Sequence, residues 1–438
     1  MNQTKTMCEI LLINVHSLKN AGDAALTRVA VDQIEANFPN SSVTLVLDDP
    51  EDHAEYLDII SSLNAWLKPT GNDGNSHWSI LHILLFIPLT FIPLIIYRLF
   101  NFRFIPLTPE KLRILLNAYF DAEIIVSQPG GFLYSSGRGF VLLVNLYSLS
   151  MALIAGKPLY IFPQSFGPFF QNWEKVLVRW TLSRARIVMA REPESYELLN
   201  SIGIHKSKSL LIPDLAFAFH GQPKTIGQKW LNDLGINSDQ TKPLLGITVI
   251  NWSAENKRFL QQQEYENAIA SAARFFIEEY DGVAVFFTQV RGPSPSQDDR
   301  IPTRRVLSQL RDLSESVFFI EEPIPADILK PIYGFMDIFI GTRMHSNIFA
   351  VGEGVPVIAI GYQHKTRGMM EMMKLEKWTI EINSLEVEQL QIKLSSLWNN
   401  RKIVQGNLYK SIPDLVDQAN QAGKIILRDY NQLQEHAN

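Results

Sequence analysis

Along most of the chain, short apolar runs rich in Val, Ile, Leu and Phe alternate with stretches whose apolar positions recur every three to four residues. Uninterrupted runs predict strands buried on both faces, and the wider spacing predicts amphipathic helices packed over them. Ile10–Val15 is the first predicted strand, followed by a helix with Leu26, Val29, Ala30 and Ile34 on one face. Val43–Leu47, Glu123–Ser127, Pro158–Phe162, Arg186–Ala190 and Ser209–Ile212 follow as strands, with helices through Leu142–Ile154 and Glu194–Ser201. Between Gln222 and Lys242 the chain turns polar, which puts a domain boundary near Pro213–Pro243. The alternation then restarts with Leu244–Ile250, a helix over Tyr265–Tyr280, and strands at Gly282–Thr288, Val317–Glu321, Asp337–Ile340 and Pro356–Ile360. Helix between successive strands, twice over, predicts an α/β chain of two Rossmann-like doubly wound domains, residues 1–220 and 221–438, facing each other across a cleft.

Residues 78–105 interrupt that rhythm. From Ile80 to Tyr97 the chain is almost wholly apolar, broken only by His82, Pro88, Thr90 and Pro93. The length is borderline for a membrane span. A single crossing, however, would put strands of one sheet in different compartments. Two readings stay open. In one, 80–97 contacts a membrane surface as a hairpin broken at Pro88 and Pro93, with Arg98 and Arg103 at anionic headgroups. In the other it is an apolar helical insertion that covers the sheet or forms a subunit interface in a homo-oligomer.

Composition narrows the class. A chain of 438 residues with 46% hydrophobic and 19% charged residues has an ordinary globular balance and is long enough for two domains. Forty basic against 45 acidic residues give a net charge of -5, which argues against a nucleic-acid binder. The single cysteine, Cys8, excludes an internal disulfide framework and a Cys-rich metal site. Met1–Glu9 is polar, so no secretory leader is expected. The expected location is cytoplasmic, peripheral on the inner face of the plasma membrane if 80–97 meets lipid.

In open α/β sheets ligands bind beyond the carboxyl ends of the strands, so the loops there are where chemistry is expected. Gly341-Thr342-Arg343-Met344-His345-Ser346 leaves a strand and enters a helix. Backbone N–H groups, a positive helix end, a guanidinium and an imidazole would gather round one anion there. The plainer alternative is that Thr342 or Ser346 caps the helix and Arg343 pairs with a carboxylate. Lys365 and Arg367 follow the next strand and would close on the same anion, or else form a solvated basic loop. Asp23, in Asn20-Ala21-Gly22-Asp23, is either a helix N-cap or a carboxylate able to take a proton from a hydroxyl. Gly130 and Gly131 allow close approach to the backbone, and Gln164 could hydrogen-bond a sugar or carboxylate. Arg191 is a second anion ligand or an ion-pair partner of Glu192 or Glu194, and the helix after it is capped by Glu192 or Ser195. Gly292–Gln297, between Thr288-Gln289-Val290-Arg291 and Asp298-Asp299-Arg300, is a closing loop or a spacer.

Taken in order from Ile10 to Met373, these pieces resemble the polysaccharide pyruvyl transferase family. The matching segments are Asn20–Asp23, Gly130-Gly131, Gln164–Pro168, Arg191-Glu192, Pro213-Asp214, Gln289–Arg300, Gly341–His345 and Tyr362–Gly368. Two features depart from the family: a glycine loop that reads only Pro-Gly-Gly, and the unusually apolar Ile80–Tyr97. The resemblance implies a GT-B-like fold with an acceptor-side first domain and a donor-side second one. It further implies transfer of pyruvate from phosphoenolpyruvate to the hydroxyls of a saccharide or lipid-linked saccharide as a ketal, with release of phosphate. The family's important basic residues match Arg191, Arg343, His345 and Lys365. In that chemistry His345 would donate a proton or hold phosphate, and Arg343, Lys365 and Arg191 would bind the dianion. Asp23 would serve as base, and Thr342, Ser346, Arg367, Gly130, Gly131 and Gln164 would add substrate contacts. The scheme requires no metal and no cofactor beyond the donor. Two alternatives are a GT-B glycosyltransferase using a nucleotide sugar, with Glu353 the only nearby ribose partner, and a silent membrane-associated scaffold in polysaccharide assembly.

Overall fold

The expected alternation is present as two parallel sheets with helices between their strands, in a computed structural model. It describes residues 7–50, 58–63, 80–105, 108–135, 140–236, 242–292, 295–322, 324–362 and 364–437. Unit 1 comprises Met1–Leu18, Leu26–Leu215 and Gln418–Asn438, and unit 2 comprises Lys19–Ala25 and Ala216–Asp417.

The first sheet is built from β1 (Cys8–Val15), β2 (Ser41–Leu47), β3 (Ile59–Ser61), β4 (Ile124–Ser127), β5 (Gly130–Leu133), β6 (Leu159–Phe166), β7 (Ile187–Ala190) and β8 (Ser209–Leu211). Its order is β3-β2-β1-β4-β6-β7-β8, with β5 paired to β6. The helices are α1 (Ala21–Asn37), α2 (Ile80–Phe100), α3 (Glu110–Asp121), α4 (Phe140–Ile154), α5 (Asn172–Leu182) and α6 (Pro193–Ser201). One apolar cluster joins α2 to α6 through Phe86 and Leu94, Leu116, Leu142 and Leu149, Val178 and Leu182, and Leu199.

Ile10 in β1 pairs with Val43 of β2 and Ile124 of β4. Strands from before and after the apolar insertion therefore sit in one sheet, as the argument against a single crossing requires. Of the two readings of the insertion, the backbone follows the helical one and not the broken hairpin: Pro88 and Pro93 both lie inside one continuous helix, α2. Packing overrides the prolines. Phe91 stacks on Tyr147 of α4 at 4.9 Å, Thr90 shares a short hydrogen bond with the Tyr147 hydroxyl, and Tyr97 donates to the Phe120 carbonyl. Among the described residues no helix is long and apolar enough to cross a membrane.

The second sheet is built from β9 (Leu244–Thr248), β10 (Val283–Phe287), β11 (Val317–Ile320), β12 (Ile338–Gly341), β13 (Val357–Gly361) and β14 (Thr379–Glu381). Its order is β11-β10-β9-β12-β13-β14, and central Leu245 pairs with Ala284 and Ile338. The helices are α7 (Lys224–Asp233), α8 (Trp252–Glu255), α9 (Gln262–Tyr280), α10 (Arg300–Leu307), α11 (Ala326–Tyr333), α12 (Met344–Gly352), α13 (His364–Met372), α14 (Val387–Ala419) and α15 (Ala422–Ala437).

The units do not coincide with residues 1–220 and 221–438, because two segments change sides. Asn20 forms an antiparallel bridge with Val290, and the Ala21 amide donates to the Gln289 carbonyl, which fastens 19–25 to unit 2. In unit 1 Gln33 donates to the Ala419 carbonyl and accepts from the Gly423 amide, while Tyr160 and Arg186 both donate to Asp429.

Candidate functional site

In unit 2 the chain leaves β12 at Gly341 and enters α12 at Met344, with Arg343 as the N-cap residue in extended backbone. Neither Thr342 nor Ser346 is the cap. Both are fully buried and close a ring of hydrogen bonds instead. The Thr342 amide donates to the Thr248 hydroxyl (3.2 Å), Thr248 and Ser346 share a bond of 3.0 Å, and Ser346 donates to the Arg343 carbonyl at 2.6 Å. Tyr265, buried in α9, binds the Thr342 hydroxyl at 2.8 Å and accepts from the Ile250 amide. Burial first, and the nearby Asp299 and Glu266 charges after it, hold the Tyr265 phenol well above its ordinary value. With no freedom left in that ring, the loop presents its backbone in one shape.

Arg343 has a defined partner. Its Nε and Nη2 bond Asp299 Oδ1 at 3.1 and 2.7 Å, and Nη2 also donates to the Gln297 carbonyl. Asp299 is fully buried and its other oxygen accepts the Val290 amide at 2.9 Å. Burial pushes its carboxyl up to about 6, against the opposing pull of Arg343 and two backbone amides. A buried carboxylate gripping a guanidinium in a fork fixes both orientation and charge. At the end of β10, Gln289 accepts from the Tyr333 hydroxyl at 2.7 Å, while its amide nitrogen and the Thr288 hydroxyl are buried with no hydrogen bond among the described residues.

His345 occupies the first turn of α12 and meets the Asn20–Asp23 segment. A Cβ on Gly22 would lie 2.1 Å from His345 Nδ1, so the imidazole rests on the glycine. Gly22 has no positive φ, so space rather than backbone conformation requires a glycine here. The cap of α1 is Asn20, whose side-chain oxygen accepts the Gly22 amide at 3.0 Å and whose nitrogen donates to Asp23 at 3.0 Å. Asp23 thus lies in the first helical turn of α1, one residue past the glycine under the imidazole. Lys365, half-buried, and Arg367, exposed, sit in the first turn of α13, after the strand paired with β12. Arg367 faces Glu381, whose carboxyl burial raises and Arg367 lowers. Residues 293–294 of the expected closing loop, and Gln363, lie outside the described residues.

Unit 1 holds the other expected residues. Arg191 is 1% exposed, with Nη1 at 2.6 Å from Asp214 and Nε at 2.7 Å from Ser165, which donates to Glu192. It is therefore an interior ion pair, with Asp214 as its main partner and Glu192 at 3.5 Å, rather than with Glu194. Glu192 is the N-cap of α6. Gly130, at φ +151°, pairs with Gln164 across β5 and β6. A register shift in β6 between Ile161 and Gln164 re-aims the chain at that residue, which is fully buried with neither amide atom hydrogen-bonded among the described residues.

Asp23, Thr342, Arg343, His345, Ser346, Lys365 and Arg367 thus share unit 2, while Gly130, Gly131, Gln164 and Arg191 share unit 1. Tyr265, Thr248 and Tyr333 carried no sequence signal, because each reads locally as an ordinary strand or helix residue. Asp299 and Gln289 lay in segments already singled out, but only the fold shows which side chains they hold.

A family model described as polysaccharide pyruvyl transferase matches residues 20–364. The amylovoran biosynthesis protein AmsJ of Erwinia amylovora is 25% identical over 268 residues, 60% of this chain and 63% of that protein. Among solved structures, Anabaena HepE in complex with UDP and glucose superposes with a TM-score of 0.58 at 14% identity, over 97% of this chain and 100% of HepE. The Neisseria meningitidis UDP-GlcNAc 2-epimerase bound to UDP-GlcNAc gives 0.57 at 12% identity, over 97% of this chain and 100% of the epimerase. At such identities these two likenesses are evidence of the GT-B-like fold alone.

Proposed function

We infer the reaction from one premise: the chain belongs to the polysaccharide pyruvyl transferase family, a family of enzymes. Its donor, on this reading, is phosphoenolpyruvate, and its acceptor is a pair of hydroxyls on a saccharide of exopolysaccharide assembly, free or lipid-linked. The observation that carries the reading is the placement of His345 on Gly22, next to an Arg343 aimed by Asp299, with Asp23 in the same segment as the glycine.

The donor carries a carboxylate and a phosphate, so it needs cations with fixed direction. Arg343 supplies one at the positive end of α12, and Lys365 supplies a second from the neighbouring strand end. His345, protonated, gives its proton to C3 of the enol, and the developing positive charge at C2 is attacked by the first sugar hydroxyl. Asp23 takes the proton of that hydroxyl. The C2–O bond to phosphate then breaks, phosphate leaves with its electron pair, and the second hydroxyl adds at C2 to close the ketal. Its proton leaves with phosphate. Thr342 and Ser346 act through the ring that shapes the loop, and Arg367 lends positive charge at the exposed rim. In unit 1, Arg191 holds Ser165 at the end of β6 and Asp214.

The test is phosphate release from phosphoenolpyruvate in the presence of lipid-linked saccharides. Wild type releases phosphate only with an acceptor present, and Arg343→Ala and His345→Ala each lose about 10²-fold or more in kcat/KM. Stabilisation by a nucleotide sugar, with no phosphate released from phosphoenolpyruvate under any acceptor, would overturn the reading in favour of a glycosyltransferase.

A further inference from the structure

Among the described residues of unit 1, most of the exposed large apolar side chains lie on α2, on α5 or just beside them. Helix α4 packs against both α2 and α5, so these two flank it over the same apolar cluster. Each turns apolar residues outward as well as inward. On α5, Trp173, Val176, Leu177 and Trp180 fall at helical spacing on one exposed stripe, with Val176 65% exposed and Phe170 just before the helix 62% exposed. On α2 the exposed stripe is Pro88, Ile92, Ile95 and Leu99, and it runs on into Phe100, Phe102 and Phe104. A globular protein gains nothing by showing water two tryptophans on one short helix, so something covers them.

The charges say what. Every exposed ionisable residue in 88–104 and 170–184 is cationic: Arg98, Arg103, Lys175, Arg179 and Arg184. The one acid in those segments, Glu174, is buried, where it accepts from Ser135 and from the Phe170 and Gln171 amides. Arg103 is partly offset by Asp121 at 2.6 Å, and the Arg184 guanidinium stands 4.7 Å over the Trp180 ring. Indole rings bordered by arginines, on an apolar stripe without exposed acid, match the boundary between acyl chains and anionic headgroups. Two copies of this face would bring like charges together, which disfavours a self-association through it.

We propose that α5 and the carboxyl half of α2 form a docking face for an anionic lipid bilayer, with Trp173, Val176, Leu177 and Trp180 entering the headgroup boundary. The apolar segment singled out in the sequence supplies only part of that face; α5 is the part that periodicity did not reveal. The face deepens the lipid-linked form of the acceptor proposed above and rests on that reading for its purpose, yet its binding is measured without donor or acceptor.

The experiment is flotation of the full chain with vesicles of phosphatidylglycerol and phosphatidylcholine, against vesicles of phosphatidylcholine alone. Wild type floats with the anionic vesicles, and about 0.5 M salt weakens that binding. Val176→Asp, a surface change, lowers partitioning about tenfold or more with unchanged thermal melting. Leu260→Ala, at an 81% exposed apolar position of unit 2, leaves it as it was. Equal flotation with neutral vesicles, flotation unaffected by Val176→Asp, or no flotation at all would each overturn the proposal. So would a wild-type dimer that Val176→Asp dissolves, since the face would then be an interface between copies. Phosphate release with a soluble saccharide reads the chemistry separately, so either idea can fail while the other stands.

Discussion

At the scale of single residues, the fold decides between alternatives that the sequence leaves level. Arg343 was legible as an anion ligand or as half of an ion pair, and it does bond a carboxylate, Asp299. Aspartates in Pro- and Ser-rich loops usually end turns, and nothing local marks Asp299 as buried against an arginine 44 positions further along the chain. Its carboxyl, pushed up to about 6 by burial, sets a pH limit on the site. Above that value the carboxylate holds Arg343 in its fork. As pH falls through it, the carboxyl gains a proton, the charge holding the guanidinium goes, and Arg343 loses its aim. We expect kcat/KM to fall by up to about tenfold per unit below roughly pH 6 for that reason. Asp299→Asn should lower the plateau by about 10²-fold and abolish this acid limb. Steady-state rates across pH check it, and an acid limb kept unchanged in the variant would assign the limb to another group.

At the scale of elements, strands were legible because burial on both faces forces an unbroken apolar run, and most runs proposed from sequence lie within one or two residues of a strand. Several elements escaped, among them the short edge strands β3 and β14 and helix α5, and two others run against local preference. The Gly130–Leu133 strand begins with paired glycines, which read as a loop, and the α2 helix contains two prolines, which left a broken hairpin open beside a helical insertion. In both, packing against a neighbouring element outweighs local preference. The segment 19–25 is the third lesson. Its Gly22 sits in the first turn of α1 and makes room for His345. A methyl group there suits a helix better than glycine does, by up to about 1 kcal/mol, but it would occupy the place of the imidazole ring. Gly22→Ala should therefore cost function far more than stability. Thermal melting falls by a few degrees as the methyl overlaps the His345 ring and Cβ, while kcat drops by about 10²-fold as His345 is pushed from its position. A variant with full turnover would show that His345 works from elsewhere or does not work at all.

At the scale of the whole molecule, local periodicity predicts which sheets form but not which segments complete them. The apolar alternation pointed to two consecutive halves, whereas 19–25 belongs with unit 2 and 418–438 with unit 1. Such exchanges rest on contacts between residues far apart in the chain, and no window of sequence contains both partners. The returning tail has a measurable share in unit 1. Ala419, Ala422 and Ile426 are buried there, Arg186 forks onto Asp429 at 2.9 Å through two nitrogens, and Tyr160 donates to the same carboxylate. Loss of the Ile426 burial alone costs about 1.5–3 kcal/mol, and the partly exposed ion pair adds no more than about 1. Ending the chain after Asp417 also leaves the Tyr160 hydroxyl and the Gln33 amide without their partners. The truncated protein should thus lose about 3 kcal/mol or more from unit 1 while every segment of unit 2 stays in place. Hydrogen exchange resolved by peptide would register it as faster exchange in β6 and β7 with β9, β10 and β12 unchanged. Uniform loss across both sheets would mean that the tail supports the chain as one cooperative body, and unchanged exchange in β6 would mean that α15 is a passenger.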